Sequence, residues 1–154
     1  MSRRYPRITA DPSSRHFEIE IEIAAPPQRV WAVTTDVERW PEWTASVLSV
    51  RRLDNGRFRV GSRARIRQPK FLPAVWQVTE LEDGRSFTWV TRSPGLRASG
   101  HHRVEPIAGG SRATLSVTYS GALGGLVAKL LGKTTERFLS LEATGLKKRS
   151  EESR

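Results

Sequence analysis

The chain has 154 residues, 37% hydrophobic and five of them tryptophan, enough apolar surface for the core of a single globular domain. The absence of cysteine excludes a disulfide framework, a thiol nucleophile and a cysteine-ligated metal, and three histidines leave little for a histidine cluster, so neither metal nor cofactor is expected. A net charge of +10 invites phosphate-bearing partners, yet no helix-turn-helix, zinc-finger or RNP-like motif accompanies it, and a specific nucleic-acid role is not expected.

Residues 1–15, "MSRRYPRITADPSSR", lack the apolar middle region of a secretory signal, and no run approaches the ~20 apolar residues of a membrane span. The expectation is a cytoplasmic protein with a flexible basic leader over 1–15 and a polar tail over 147–154. "HFEIEIEIA" (16–24) then alternates, with Phe17, Ile19, Ile21 and Ile23 on one face and three glutamates on the other, which specifies a half-buried antiparallel strand. Pro26 and Pro27 suit the start of a helix whose apolar side carries Val30, Trp31 and Val33. Thr35 and Glu38 read as a capping box for a second short helix, "DVERW", that Pro41 stops. Trp40 is expected to pack under these helices, and Trp43 to close the core or to form the rim of a cavity.

"ASVLSVRRL", "SRARIRQ", "AVWQVTELE", "SFTWVTRS", "RASGHHRVEP" and "RATLSVTYSG" follow, each short and alternating, with turn signals such as Asn55-Gly56 between them. They predict six further strands in an antiparallel meander. Arg63, Arg65 and Arg67 fall on one strand face, which a solvated surface explains. From Leu123 to about Leu146 an amphipathic helix is predicted, its apolar stripe carrying Leu126, Val127, Leu130, Leu131, Thr134, Phe138 and Leu141, with Lys129, Lys133 and Arg137 on another side.

The order of strand, two short helices, six strands and long helix, with "IAAPPQRVWAVTTDVERWPEW", "VTELEDGRSFTWV", "GHHRVEP" and "GGSRATLSVTY", resembles the polyketide cyclase/dehydrase group of the START and birch-pollen-allergen superfamily over residues 16–146. That resemblance implies an α+β helix-grip fold, a curved seven-stranded antiparallel sheet around the C-terminal helix, enclosing an apolar cavity for lipids, polyketides or other hydrophobic small molecules. It supplies no shared catalytic motif.

Strand parity assigns side chains to the cavity wall: Trp76 with Val78; Phe87, Trp89 and Thr91; Leu115, Val117 and Tyr119. From the helix come Leu130, Thr134 and Phe138, and from the bend Trp43. Ordinary core packing would explain any one of these equally. In "ASGHHRVEP", His102 shares the face of Ala98, Gly100 and Val104, and the small neighbours leave room beside an imidazole able to move a proton or bind a carbonyl. Glu80, on the parity of Trp76 and Val78, is a conceivable partner for it across the sheet, edge exposure being its other fate. His101 points the opposite way, so the two histidines make a poor chelate.

Two functions follow: binding of a hydrophobic small molecule, or cyclase/dehydratase chemistry with His102 and Tyr119 moving protons. A third is weak docking on an anionic membrane surface, or an acidic partner, through the face with Lys129, Lys133 and Arg137. Either a monomer or a homodimer suits all three.

Overall fold

Alternation of apolar and polar residues decides where every strand of this molecule lies, and turns decide where it reverses. The computed structural model describes residues 7–10 and 15–152. In chain order they form β1 (Arg7–Ala10), β2 (His16–Ile23), α1 (Pro27–Thr35), a 3-10 helix (Val37–Glu42), β3 (Ser49–Arg52), β4 (Arg63–Arg67), β5 (Ala74–Glu82), β6 (Ser86–Ser93), β7 (Leu96–Ile107), β8 (Gly110–Ser120) and α2 (Gly124–Glu151). The strands make one antiparallel sheet in the order β1-β2-β8-β7-β6-β5-β4-β3. No helix among the described residues is long and apolar enough to cross a membrane.

The seven strands β2 to β8 and the long C-terminal helix are the helix-grip arrangement that the sequence implied. An eighth strand is added from the segment expected to be a flexible leader: β1 pairs with β2 from Arg7 opposite Glu20 to Ala10 opposite Phe17. The physical reason is that β2 has a second edge of unpaired backbone donors and acceptors, which a passing segment can satisfy.

In β2, Phe17, Ile19, Ile21 and Ile23 are buried, and their register against β8 sets Ile19 opposite Leu115 and Ile21 opposite Ala113. These residues join Val30 and Val33 of α1 and Leu139, Ala143 and Leu146 of α2 in one core cluster. A second cluster, under the 3-10 helix, gathers Val37, Trp40, Ile66, Val78, Phe87 and Trp89. Burying a side chain of this size stabilises the fold by roughly 1.5–3 kcal/mol, so two contiguous clusters account for most of the driving force.

Local expectations needed correction in two places. The Thr35–Glu38 capping box does not form: the Thr35 hydroxyl donates back to the Trp31 carbonyl at 3.0 Å, and Glu38 accepts the Arg52 amide at 3.2 Å. Pro41 sits inside the 3-10 helix instead of ending the preceding turn. In so short a helix a missing amide forfeits one weak bond, and the proline φ suits the tight winding.

Helix α2 also differs from expectation, in length and in phase. It runs on through 147–151, the start of the expected tail, because its last turn is tied down: the Lys147 ammonium donates to the Glu22 carbonyl at 3.1 Å, Arg149 to Glu42 at 2.8 Å, and Glu151 accepts the Ala24 amide at 2.7 Å. The buried side is Thr135, Leu139, Ala143, Leu146 and Ser150. Gly145 fixes that seat, since a Cβ there would collide with the backbone carbonyl of Trp43. Gly145→Ala should therefore destabilise the protein by about 1–3 kcal/mol in denaturant titration, although alanine is the better helix former by about 1 kcal/mol. An unchanged or raised midpoint would show that α2 is not wedged there.

Candidate functional site

The inward face of β7 is made of Ala98, Gly100, His102 and Val104, all buried, as the alternation required. Gly100 is small for a reason. A Cβ at this position would stand 3.1 Å from the indole of Trp89, so glycine gives that ring room against the strand.

Rings crowd the imidazole. Phe87, directly across from it in β6, stacks on it at 4.5 Å with planes 9° apart, and Trp40 and Trp89 lie at 5.3 and 6.1 Å. The one polar contact comes from the helix: His102 Nε2 is 3.0 Å from Glu142 Oε1. Both side chains are withdrawn from solvent, His102 at 7% and Glu142 at 13% exposed. The second ring nitrogen, Nδ1, is buried and has no hydrogen-bond partner. With an ionised Glu142 accepting from Nε2–H, Nδ1 is left as a lone-pair acceptor among aromatic rings; with His102 protonated it is a donor. A carboxylate behind an imidazole that faces the substrate with its other nitrogen is the general arrangement by which a base is oriented.

Glu142 is the residue that sequence reasoning missed; of the two fates weighed for Glu80, exposure is the one that the structure shows. That exposure has a definite cause. The register of β5 against β6 shifts between Val78 and Glu80: Val78 faces Trp89, but Glu80 faces Thr88, which lies on the outer surface. The bulge turns Glu80 out to solvent and gives its inward place to Leu81. The signal for Glu142 was present but hidden, for it lies three residues after Leu139 and four before Leu146, on the side of α2 that is buried.

Tyr119 is tied into a different part of the interior. Its hydroxyl is 2.8 Å from Thr135 Oγ1, and Thr135 itself donates to the Leu131 carbonyl at 2.9 Å, so Tyr119 is the donor of the pair. Burial holds the phenol above the usual tyrosine range, against the opposing effect of that hydrogen bond. Its proton is already committed. No hydrogen bond joins Tyr119 to His102, and the structure gives the two separate neighbourhoods, Tyr119 with Phe17 at 6.1 Å and His102 with Phe87.

The other residues assigned to the cavity wall divide into three groups. Val78 and Trp89 are fully inside, and Trp76 is half-buried with its ring 5.9 Å from that of Trp89. Thr91, Val117, Thr134 and Phe138 are half-buried, Phe138 against Phe71 of the β4–β5 loop at 5.7 Å. Leu130 is a correction: it is 70% exposed, because the buried side of α2 is rotated from the expected stripe. Trp43 is half-buried at 5.9 Å from Trp40, and its other side lines a 510 Å³ surface cleft with Arg29, Asp36, Arg39 and Arg149. Trp40 itself is buried, and its indole donates to the Thr34 carbonyl at 3.0 Å.

Among known proteins, the family model described as polyketide cyclase / dehydrase and lipid transport matches residues 14–151. A Streptomyces halstedii protein, provisionally named a polyketide cyclase, is 37% identical over 93 residues, which are 58% of this chain and 74% of that protein. In three dimensions the chain is similar to the Zhui aromatase/cyclase of Streptomyces sp. R1128, with a TM-score of 0.72 at 18% identity, covering 88% of this chain and 93% of the other. It is also similar to Ara h 8.0201, at a TM-score of 0.62 and 17% identity over 85% of this chain and 97% of that one. The protein TTHA0849 of Thermus thermophilus superposes with a TM-score of 0.70 at 24% identity, over 88% and 96% of the two chains. These structural likenesses establish the fold.

His101, on the outer face, supplies a pH test of the site's neighbourhood. Its Nδ1 is 2.7 Å from the Thr88 hydroxyl, and desolvation, followed by the charges of His102 and Arg103, pulls its pKa below 6.5. The folded state then binds this proton less readily than the unfolded chain, so the stability that the neutral ring contributes is present above 6.5 and lost as pH falls through the lowered value. Melting curves taken from about pH 7.5 to about pH 5 should show wild type losing stability more steeply than His101→Gln, whose amide cannot titrate. Parallel pH profiles would remove His101 as a contributor.

Proposed function

The chain belongs to the polyketide cyclase / dehydrase and lipid transport family, and from that premise we propose that it binds a hydrophobic ring compound bearing a carbonyl or hydroxyl between the inner sheet face and α2, with His102 as its polar contact. The observation that carries this reading is the pairing of His102 with Glu142 inside a shell of rings, one imidazole nitrogen being left free. An aromatic wall alone is explained by core packing. A buried acceptor or donor with no partner costs about 1–3 kcal/mol, and a ligand oxygen that reached Nδ1 would recover that loss.

The half-buried rings Trp76, Phe71 and Phe138 stand at the margin of this interior, and they are the groups that yield to a ligand. Flat rings would be held by the offset and edge-to-face geometry already present among Trp40, Phe87 and Trp89.

The same pair supports cyclase or dehydratase chemistry as a second reading. Glu142 would hold the Nε2 proton in place while Nδ1 takes a proton from the carbon beside a ligand carbonyl, and the packed rings would hold a flexible chain in its folded conformation. Tyr119 drops out as the partner acid in this reading, because its proton is engaged by Thr135.

A panel of polycyclic aromatic ketones and phenols, screened by thermal shift, should contain compounds that stabilise the protein. At about 100 times Kd the gain is about 2.7 kcal/mol, or roughly 5–10 °C for a chain of this size. His102→Phe keeps the packing and removes the polar contact, so it should weaken binding by roughly tenfold or more. Equal binding by wild type and His102→Phe, or a panel with no active member, would overturn the proposal. If turnover is found, Glu142→Gln should lower kcat with binding largely kept, whereas a carrier would show no such split.

A further inference from the structure

One end of the molecule combines two features that soluble surfaces keep apart. Strand β3 starts there, β4 ends and β5 begins there, β6 ends and β7 begins there, and β8 gives way to α2, so the segments 67–75, 92–97 and 120–133 all meet at this end. The β6–β7 turn and the start of α2 are directly joined, Leu123 N donating to the Gly95 carbonyl at 2.8 Å.

Of the eight exposed large apolar residues among those described, six are here: Leu48, Leu72, Val75, Leu123, Leu126 and Leu130. Leu72 is 88% exposed. It follows Lys70, which holds a left-handed backbone (φ 68°), and Phe71, which turns inward onto Phe138. Leu126 and Leu130, four residues apart, share the outward side of α2 with Lys129 and Lys133.

Cations surround these side chains without counter-charges. The three segments contain Arg67, Lys70, Arg92, Arg97, Lys129 and Lys133 and not one Asp or Glu. None of the six forms an ion pair with another described residue. Arg92 and Arg97 are direct cross-strand partners, a like-charge pairing that works against the sheet. Strand β2, with its three outward glutamates Glu18, Glu20 and Glu22, is separated from β4 by four strands.

We propose that this end is a docking surface for a bilayer containing anionic phospholipid, Leu72, Leu126 and Leu130 entering the acyl boundary while Arg92, Arg97, Lys129 and Lys133 reach the headgroup phosphates. A nucleic acid or an acidic protein would answer the charge but leave the leucines in water. Leu72 stands on one segment and Leu126 and Leu130 on another, where Lys129 and Lys133 share their side of the helix. A bilayer satisfies both, since each apolar side chain can insert separately and each cation adds attraction to the surface. The proposal is independent of the ligand contact at His102.

The test is co-sedimentation of the purified chain with phosphatidylcholine vesicles that contain or lack phosphatidylglycerol. The expected result is binding to the anionic vesicles at about 0.05 M salt, weakened strongly at about 0.5 M, and little binding to neutral vesicles. Leu72→Gln with Leu130→Gln should lower anionic-vesicle binding by about tenfold at an unchanged melting temperature, these side chains being exposed. Arg92→Gln with Arg97→Gln should lower it by a similar factor and flatten the salt dependence. The milder Leu72→Ala should show the same direction should a double variant fold poorly. No binding to anionic vesicles at low salt overturns the proposal. So does full binding by the leucine variants, which would leave a charge-only surface suited to an acidic protein or a nucleic acid.

Discussion

The rotation of α2 about its own axis is the constraint on which the rest of the molecule depends. Gly145 lets the helix backbone approach the Trp43 carbonyl closer than any side chain would allow, and Lys147, Arg149 and Glu151 tie the last turn to the β2–α1 junction and the 3-10 helix. With the phase set at that end, Glu142 is aimed at His102, and Thr135 meets Tyr119 about two turns earlier. The same rotation puts Leu126 and Leu130 outside. A helix turned by one residue, about 100°, would break both buried hydrogen bonds at once.

The Glu142–His102 contact is an unusual element for an interior otherwise built of aromatic and aliphatic groups. Removing ionisable groups from water is unfavourable, and a hydrophobic pair of similar volume often stabilises a core as well or better. Stability alone does not explain why these positions carry a carboxylate and an imidazole, still less why one ring nitrogen is left without a partner. The rings around His102 raise the stakes further, because a low-dielectric environment strengthens whatever polar contact forms there. The contact proposed for His102 would give that nitrogen a partner.

Much of the fold was legible in the chain because its strands keep strict parity. In β7 the pattern Ala98, Gly100, His102, Val104 named the inward face, and β2 was readable from its isoleucines alone. What could not be read depends on contacts distant in sequence. The partner of His102 is 40 residues away on another element. Its identification needed the phase of α2, and the leucines near that helix's start suggested a phase that its C-terminal half overrules. The capping box failed for a nearer and a more distant reason: Thr35 has its own helix's carbonyl within reach, and Glu38 is claimed by Arg52.

The bulge in β5 has a bearing on how this interior could diversify. Because one residue separates the alignment of Val78 from that of Glu80, the strand beyond it is read in the opposite parity. Pairing straight through that point, with Thr79 opposite Thr88 and Glu80 opposite Phe87, would send Glu80 inward and Leu81 out, placing a second carboxylate on the inner face of the sheet that carries His102. Two acids near one imidazole make a different chemical environment from one: the second favours the protonated ring and converts an acceptor into a donor. One backbone irregularity thus sets how many carboxylates the inner face of the sheet carries.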